Sequence, residues 1–133
     1  MQNKLAYIGD TKTCSMALII KDKEILLGHR HYNETSTWIC PGGRSNAGEN
    51  LEETLRREVV EEIGVNDLVI KEYLGELAGT NAGDTVFTFL CDINQKEQLV
   101  EPDKFSEWRW FNKEQVNALK MSENTRKLIC SLL

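Results

Sequence analysis

The chain reads as a layered α/β domain. Three observations predict it: strand-like apolar runs on both sides of one amphipathic helix, Gly- and Pro-containing breaks between them, and two helical patterns near the C-terminal end. The 133 residues suit a single domain spanning residues 1–133. A domain of this size buries roughly two-thirds of its unfolded surface and needs no staples.

The elements follow in order. Residues 14–22, CSMALIIKD, form an apolar run with β-branched residues and read as a buried strand. Residues 23–30, KEILLGHR, read as its hairpin partner, with Lys21, Asp22 and Lys23 as the turn. Residues 31–37 are polar and read as a loop, and WICPGG, residues 38–43, ends a short strand on Pro41, Gly42 and Gly43. The clearest helix covers residues 51–63. Residues 67–79 and 84–93 read as strands joined by the Gly-rich turn GTNAGD. Residues 94–107 read as a charged loop, WRWF as a short strand, NKEQVNAL as a helix capped by Asn112, and residues 123–133 as a closing helix.

Charge and cysteines narrow the function. A net charge of −5 argues against a protein that wraps nucleic acid by charge, so no stable nucleic-acid partner is expected. Nucleotides held through a metal ion stay open. Cys14, Cys40, Cys91 and Cys130 have no zinc spacing and lie in or beside apolar runs, as buried free thiols in a reducing cytoplasm would. The first ten residues do not look like a signal peptide, and no apolar run approaches the length of a membrane span.

The helix over residues 51–63 carries the sharpest question. Leu55, Val59 and Ile63 recur at i, i+4 and i+8 and form an apolar stripe. Glu58, Glu61 and Glu62 form a second stripe beside it, at the edge of the core, where like charges repel. Two readings stay open on geometry. One is a salt-bridged face balanced by Arg56 and Arg57; the other is a carboxylate cluster completed by a hard divalent cation. The preceding PGGRSNAGE turn lets backbone approach a ligand, but lacks the ending of a P-loop.

A longer pattern bears on that choice. Gly43, five residues, Glu49, seven residues, then Arg57, Glu58, Val59, Val60, Glu61, Glu62, Ile63, Gly64 and Val65 match every fixed position of the box of the Nudix hydrolase family. The chain therefore resembles that family, and WICPGG (residues 38–43) and EPDKFSEWRWF (residues 101–111) resemble segments of its branch acting on nucleoside triphosphates. The resemblance implies an α/β/α sandwich with a mixed β-sheet. It also implies Mg²⁺- or Mn²⁺-dependent hydrolysis of a nucleoside diphosphate linked to another group. Carried over by position, Glu58, Glu61 and Glu62 are the expected metal ligands, with Gly43 in the metal set and Glu49 reaching it through water. Arg57 is expected to orient the acids, and Glu58 or Glu61 to serve catalysis, Glu58 being the first candidate for the general base. Among the acids Glu101, Asp103 and Glu107, Glu101 is the candidate for an extra ligand or base.

Substrate contacts are expected from Arg30 and Arg44 toward phosphate, from Trp38 or Phe87 stacking on a base, and from Asn124 reading a base edge or capping the last helix. His29 and His31 have no partner spacing and receive no role. The expected substrate is a (d)NTP or an oxidised dNTP, cleaved to a nucleoside monophosphate and pyrophosphate. Dinucleoside polyphosphates, ADP-ribose, nucleotide sugars and capped RNA are alternatives, and a non-catalytic nucleotide sensor is the alternative of another class. No extra N-terminal domain of the kind some ADP-ribose-type relatives use to dimerise is expected, which weighs mildly against ADP-ribose, and a monomer or homodimer is expected.

Overall fold

The computed structural model describes residues 2–133. After a short helix α1 (Gln2–Leu5), the first long element is strand β1 (Thr13–Lys21). It alternates its side chains between two cores: Ala17 and Ile19 enter one, while Leu18 enters the other with Met16 and Ile20 beside it. This doubly buried strand is the middle of the molecule. It runs parallel to β6 (Thr85–Asp92) through seven paired positions, from Thr13 with Thr85 to Ile19 with Cys91. On its other edge it pairs antiparallel first with β4 (Gly42–Arg44) and then with β2 (Glu24–His31). The sheet is therefore mixed. Its path is β3 (Ser36–Ile39), β2, β1, β6 and β5 (Val69–Ala78), with β7 (Phe105–Phe111) on β2.

Helices cover both cores. Helix α2 (Leu51–Ile63) lays Leu55, Val59 and Ile63 against Ala17, Ile19 and Phe89, all fully buried. Burial of each such side chain is worth about 1.5–3 kcal/mol. Helices α3 (Lys113–Asn117) and α4 (Glu123–Leu132) cover the opposite face through Val116 and Ile129. The result is the α/β/α sandwich with a mixed sheet that the resemblance implied.

The expected helix α2 forms with the expected limits because both ends are capped. Asn50 accepts the Glu53 N–H at 2.8 Å while Glu53 accepts the Asn50 N–H at 3.0 Å, a capping box. Gly64 ends the helix in the left-handed region at φ 69°. The β1–β2 hairpin turns on Asp22 and Lys23, both at positive φ, with Lys21 already paired to Glu24.

Several expectations need correction. The glycines after Pro41 do not break the sheet: Gly42, Gly43 and Arg44 pair with Met16, Ser15 and Cys14. The last strand starts at Phe105 rather than Trp108, because Phe105 is buried and pairs with Arg30. His31 and Ser36 belong to strands, so the polar loop is shorter than residues 31–37. Cys40 and Cys91 are buried thiols, but Cys14 and Cys130 are only partly covered.

Candidate active site

Arg57 is the hub of the helix α2 acids. Its Nε and Nη2 donate to the two oxygens of Glu49 at 2.7 and 2.9 Å. Nη1 donates to Glu58 at 2.9 Å and to Glu61 at 3.2 Å, and Nη2 also donates to the Arg44 carbonyl at 3.0 Å. This bidentate grip requires a planar guanidinium. The Arg57 pair holds the Glu49 carboxyl down at about 2, helped by the Asn46 N–H and the Thr54 hydroxyl. Arg56, the other expected counter-charge, points elsewhere: it pairs with Glu52 and donates to the Leu68 carbonyl.

Glu58 and Glu62 face the sheet. Glu62 is buried and accepts the Gly42 N–H at 2.7 Å. Burial pushes its carboxyl up to about 8 against the pull of that N–H, and the charges of Glu58 and Glu101 add to the rise. The Glu58 carboxylate packs directly on Gly43, and burial raises its carboxyl too, opposed by Arg57. Glu61 is half-exposed and turned to Arg57. The three acids therefore do not meet at one point. Among the described residues no three His, Cys, Asp or Glu side chains form a ready metal cage.

The donor chemistry nevertheless fits a hard cation. Glu58 and Glu62 are covered oxygen donors, of the two only Glu58 is paired with Arg57, and a divalent ion would offset the cost of charging both. Mg²⁺ takes one or two carboxylates and completes its shell with water and substrate phosphate, so it does not need a closed protein cage.

A cleft opens at the same glycines. One cavity of about 290 Å³ is lined by Met16, Tyr32, Cys40, Gly42, Gly43 and Arg44, among others. It shares Met16, Tyr32, Ile39, Gly79, Thr80 and Val86 with a second cavity of about 280 Å³ that contains Trp38 and Asn124. Glu58 and Glu62 do not line the cleft themselves. They touch its glycine end, Glu58 against Gly43 and Glu62 on the Gly42 N–H.

The model of the NUDIX domain matches residues 11–132 of this chain. The chain belongs to the Nudix hydrolase family. This is a family of hydrolases acting on phosphoanhydride bonds. A Caenorhabditis elegans relative is 34% identical over 93 residues, covering 69% of this chain and 25% of its own length. The nucleoside triphosphatase NudI of Enterobacter sp. (strain 638) is 26% identical, with 95% of this chain and 86% of that protein covered. The chain spans only 37% of the NAD-capped RNA hydrolase NudC of Vibrio parahaemolyticus, at 28% identity over 74% of this chain. Among solved structures, a NUDIX hydrolase from Nitrosomonas europaea superposes with a TM-score of 0.74 at 21% identity, covering 90% of this chain and 86% of that one.

Outside the Nudix box, the expected contact residues divide. Trp38 and Asn124 meet in one cavity. Asn124 is not a cap, since α4 begins at Glu123 after Ser122. Phe87 is buried on the α2 side with Phe89 and lines neither cavity. Arg44 reaches the cleft edge but is held by Asp84 at 2.7 and 3.1 Å. Among the described residues Arg30 has no ion-pair partner: it donates to the His31 and Lys104 carbonyls and lies over the rings of Tyr32 and Phe105. Glu101 pairs with Lys104 at 3.3 Å and is near enough to Glu58 and Glu62 for its charge to raise both. Asp103 lines a surface hollow with Arg30, and Glu107 pairs with Arg109.

Sequence reading missed the Gly42 amide as the partner of Glu62, Asp84 as the partner of Arg44, and Tyr32 and Thr80 as cleft walls. Only the first had a signal, in the paired glycines.

Proposed function

We propose that this chain is a divalent-cation-dependent pyrophosphohydrolase that cleaves a nucleoside triphosphate, ordinary or oxidised, to a nucleoside monophosphate and pyrophosphate. The observation that carries the reading is one cleft joining the Gly42–Gly43 backbone, with two covered carboxylates against it, to Trp38 and Asn124. The glycine end suits a polyphosphate and the Trp38–Asn124 end a base.

Glu58, Glu61 and Glu62, with the Gly43 backbone, Glu49 through water and Glu101 from its loop, are the residues that would hold Mg²⁺ or Mn²⁺. When bound, the cation neutralises phosphate charge and acidifies water. Glu58 accepts the proton of the attacking water: burial raises its carboxyl above the ordinary carboxylate range, against the pull of Arg57, which makes it a stronger base. Arg57 fixes the rotamers of Glu58 and Glu61 and so aims the acids. Arg44, released from Asp84, and Arg30 meet phosphate oxygens. Trp38 offers a ring face for stacking, and the Asn124 amide donates to and accepts from a base edge.

A second reading has its own observation. Tyr32, Thr80, Asn81 and Ser122 also line a wider cavity of about 630 Å³ with Lys120, continuous with the cleft. That space favours a longer substrate, such as a dinucleoside polyphosphate. A nucleotide panel assayed with Mg²⁺ for phosphate and pyrophosphate release separates the readings. Preference for a triphosphate supports the first. Preference for diadenosine tetraphosphate, ADP-ribose, a nucleotide sugar or capped RNA rejects it, and no turnover at all points to a sensor.

A further inference from the structure

The chain has two histidines, and both stand on one face of strand β2, at His29 and His31. Their ring centroids are 4.4 Å apart. Two ring nitrogens, Nδ1 of His29 and Nε2 of His31, converge on one atom, the Ser106 Oγ, at 3.4 and 2.8 Å. The His29 ring is held from two further sides. Its plane stacks on Trp38 at 4.4 Å and 5°, and its Nε2 lies 3.0 Å from the Ser36 hydroxyl.

We propose that His29 and His31 form a surface site for a transition-metal ion of the Zn²⁺ class, separate from the carboxylates of helix α2. The Ser106 oxygen marks the place toward which two imidazole nitrogens point; its one proton can serve only one of them, and an ion in its place would take the lone pair of both. Ser106 is exposed and a turn of its χ1 vacates that place. Ser36 supplies what ligating histidines usually have, a partner on the far nitrogen: its oxygen can accept the Nε2–H of the tautomer that leaves Nδ1 free to bind. Imidazole nitrogen selects Zn²⁺, Ni²⁺ or Cu²⁺, whereas Mg²⁺ seeks oxygen. With two protein ligands and no third side chain among the described residues, water completes the shell and the site stays open. Because His29 stacks on Trp38, an ion here sits behind one wall of the cleft.

The test titrates Zn²⁺ into the full chain in saturating Mg²⁺, which occupies the oxygen-rich site. Calorimetry and long-range imidazole NMR follow it, and the latter shows only two rings. The expected result is a single binding event that shifts both rings, with Nδ1 of His29 and Nε2 of His31 as the metallated atoms. His31→Gln, at an exposed position, is expected to weaken that event at least about tenfold, within the range seen when ligand-shell partners are lost. Zn²⁺ that moves neither imidazole, or binds the variant as tightly as the parent, overturns the proposal. Neither outcome bears on turnover of nucleotides, so the pyrophosphohydrolase reading stands or falls separately.

Discussion

The Glu58 carboxylate fills the space that a side chain at Gly43 would need: a Cβ there falls 2.6 Å from Glu58 Cδ. Gly43→Ala therefore pushes Glu58 off its seat between β4 and Arg57. Overpacking of this kind costs about 1–3 kcal/mol. We expect a thermal shift of a few degrees but a loss of turnover of at least about tenfold, since the displaced group is the proposed base. Unchanged kcat in a destabilised Gly43→Ala would remove Glu58 from catalysis.

Glu62→Gln separates charge from hydrogen bonding. The amide oxygen still accepts the Gly42 N–H, and a buried group that resists ionisation is exchanged for a neutral one. Stability near neutral pH should hold or rise, while Mg²⁺ affinity falls and turnover drops about 100-fold. Glu61→Gln should show a comparable loss of turnover with little change in melting temperature, because Glu61 is half-exposed. Near-normal turnover in both variants rejects the proposed ligand set.

Arg57→Ala leaves Glu49, Glu58 and Glu61 without their common partner. Breaking a mostly covered ion pair costs up to about 3–5 kcal/mol, and less here for the exposed Glu61 arm. Arg57→Lys keeps the charge but not the fork that spans Glu49, so it should recover only part of the stability. Full recovery by lysine in denaturant unfolding would show that charge alone is at work.

Acid should attack the Glu49–Arg57 pair. The folded state holds the Glu49 carboxyl at about 2, below its ordinary 4.5. A depressed carboxyl stabilises the fold above the unfolded value and loses that contribution as pH falls from about 4.5 toward 2. Melting temperature followed across this window should fall less steeply in Glu49→Gln, which starts lower at neutral pH. Parallel curves for the two proteins contradict the assignment.

At the other end of the cleft, Asn124→Ala and Trp38→Ala test base recognition. Loss of a base-edge amide should compress the preference between purine and pyrimidine triphosphates, and loss of the ring should raise KM for all of them by about tenfold. Equal kcat/KM ratios across bases before and after Asn124→Ala would place the base elsewhere.

Much of this architecture was legible beforehand because it rests on local chemistry. The Leu55, Val59 and Ile63 spacing defines helix α2 within one stretch of chain, and the Asn50 cap and Gly64 stop that the structure adds act within that same stretch. The box pattern gave the family for the same reason. What stayed hidden was every partner distant in sequence. Arg56 and Arg57 look alike in the sequence, yet one faces Leu68 and the other Glu49, because one helical position rotates a side chain by about 100°. Phe87 and Trp38 looked equally available for stacking, and strand alternation put Phe87 in the α2 core.

The sequence by itself determined the layered α/β class, helix α2 and the run of acids on it, since periodicity and turn residues act over a few positions, while the sandwich followed from the resemblance carried by the box. Only the tertiary structure decided which acids are covered, that Gly42 serves Glu62 and Asp84 restrains Arg44, and that Trp38 and Asn124 share a cavity. Burial and pairing depend on what the sheet brings across from elsewhere in the chain, and that register is a property of the whole fold.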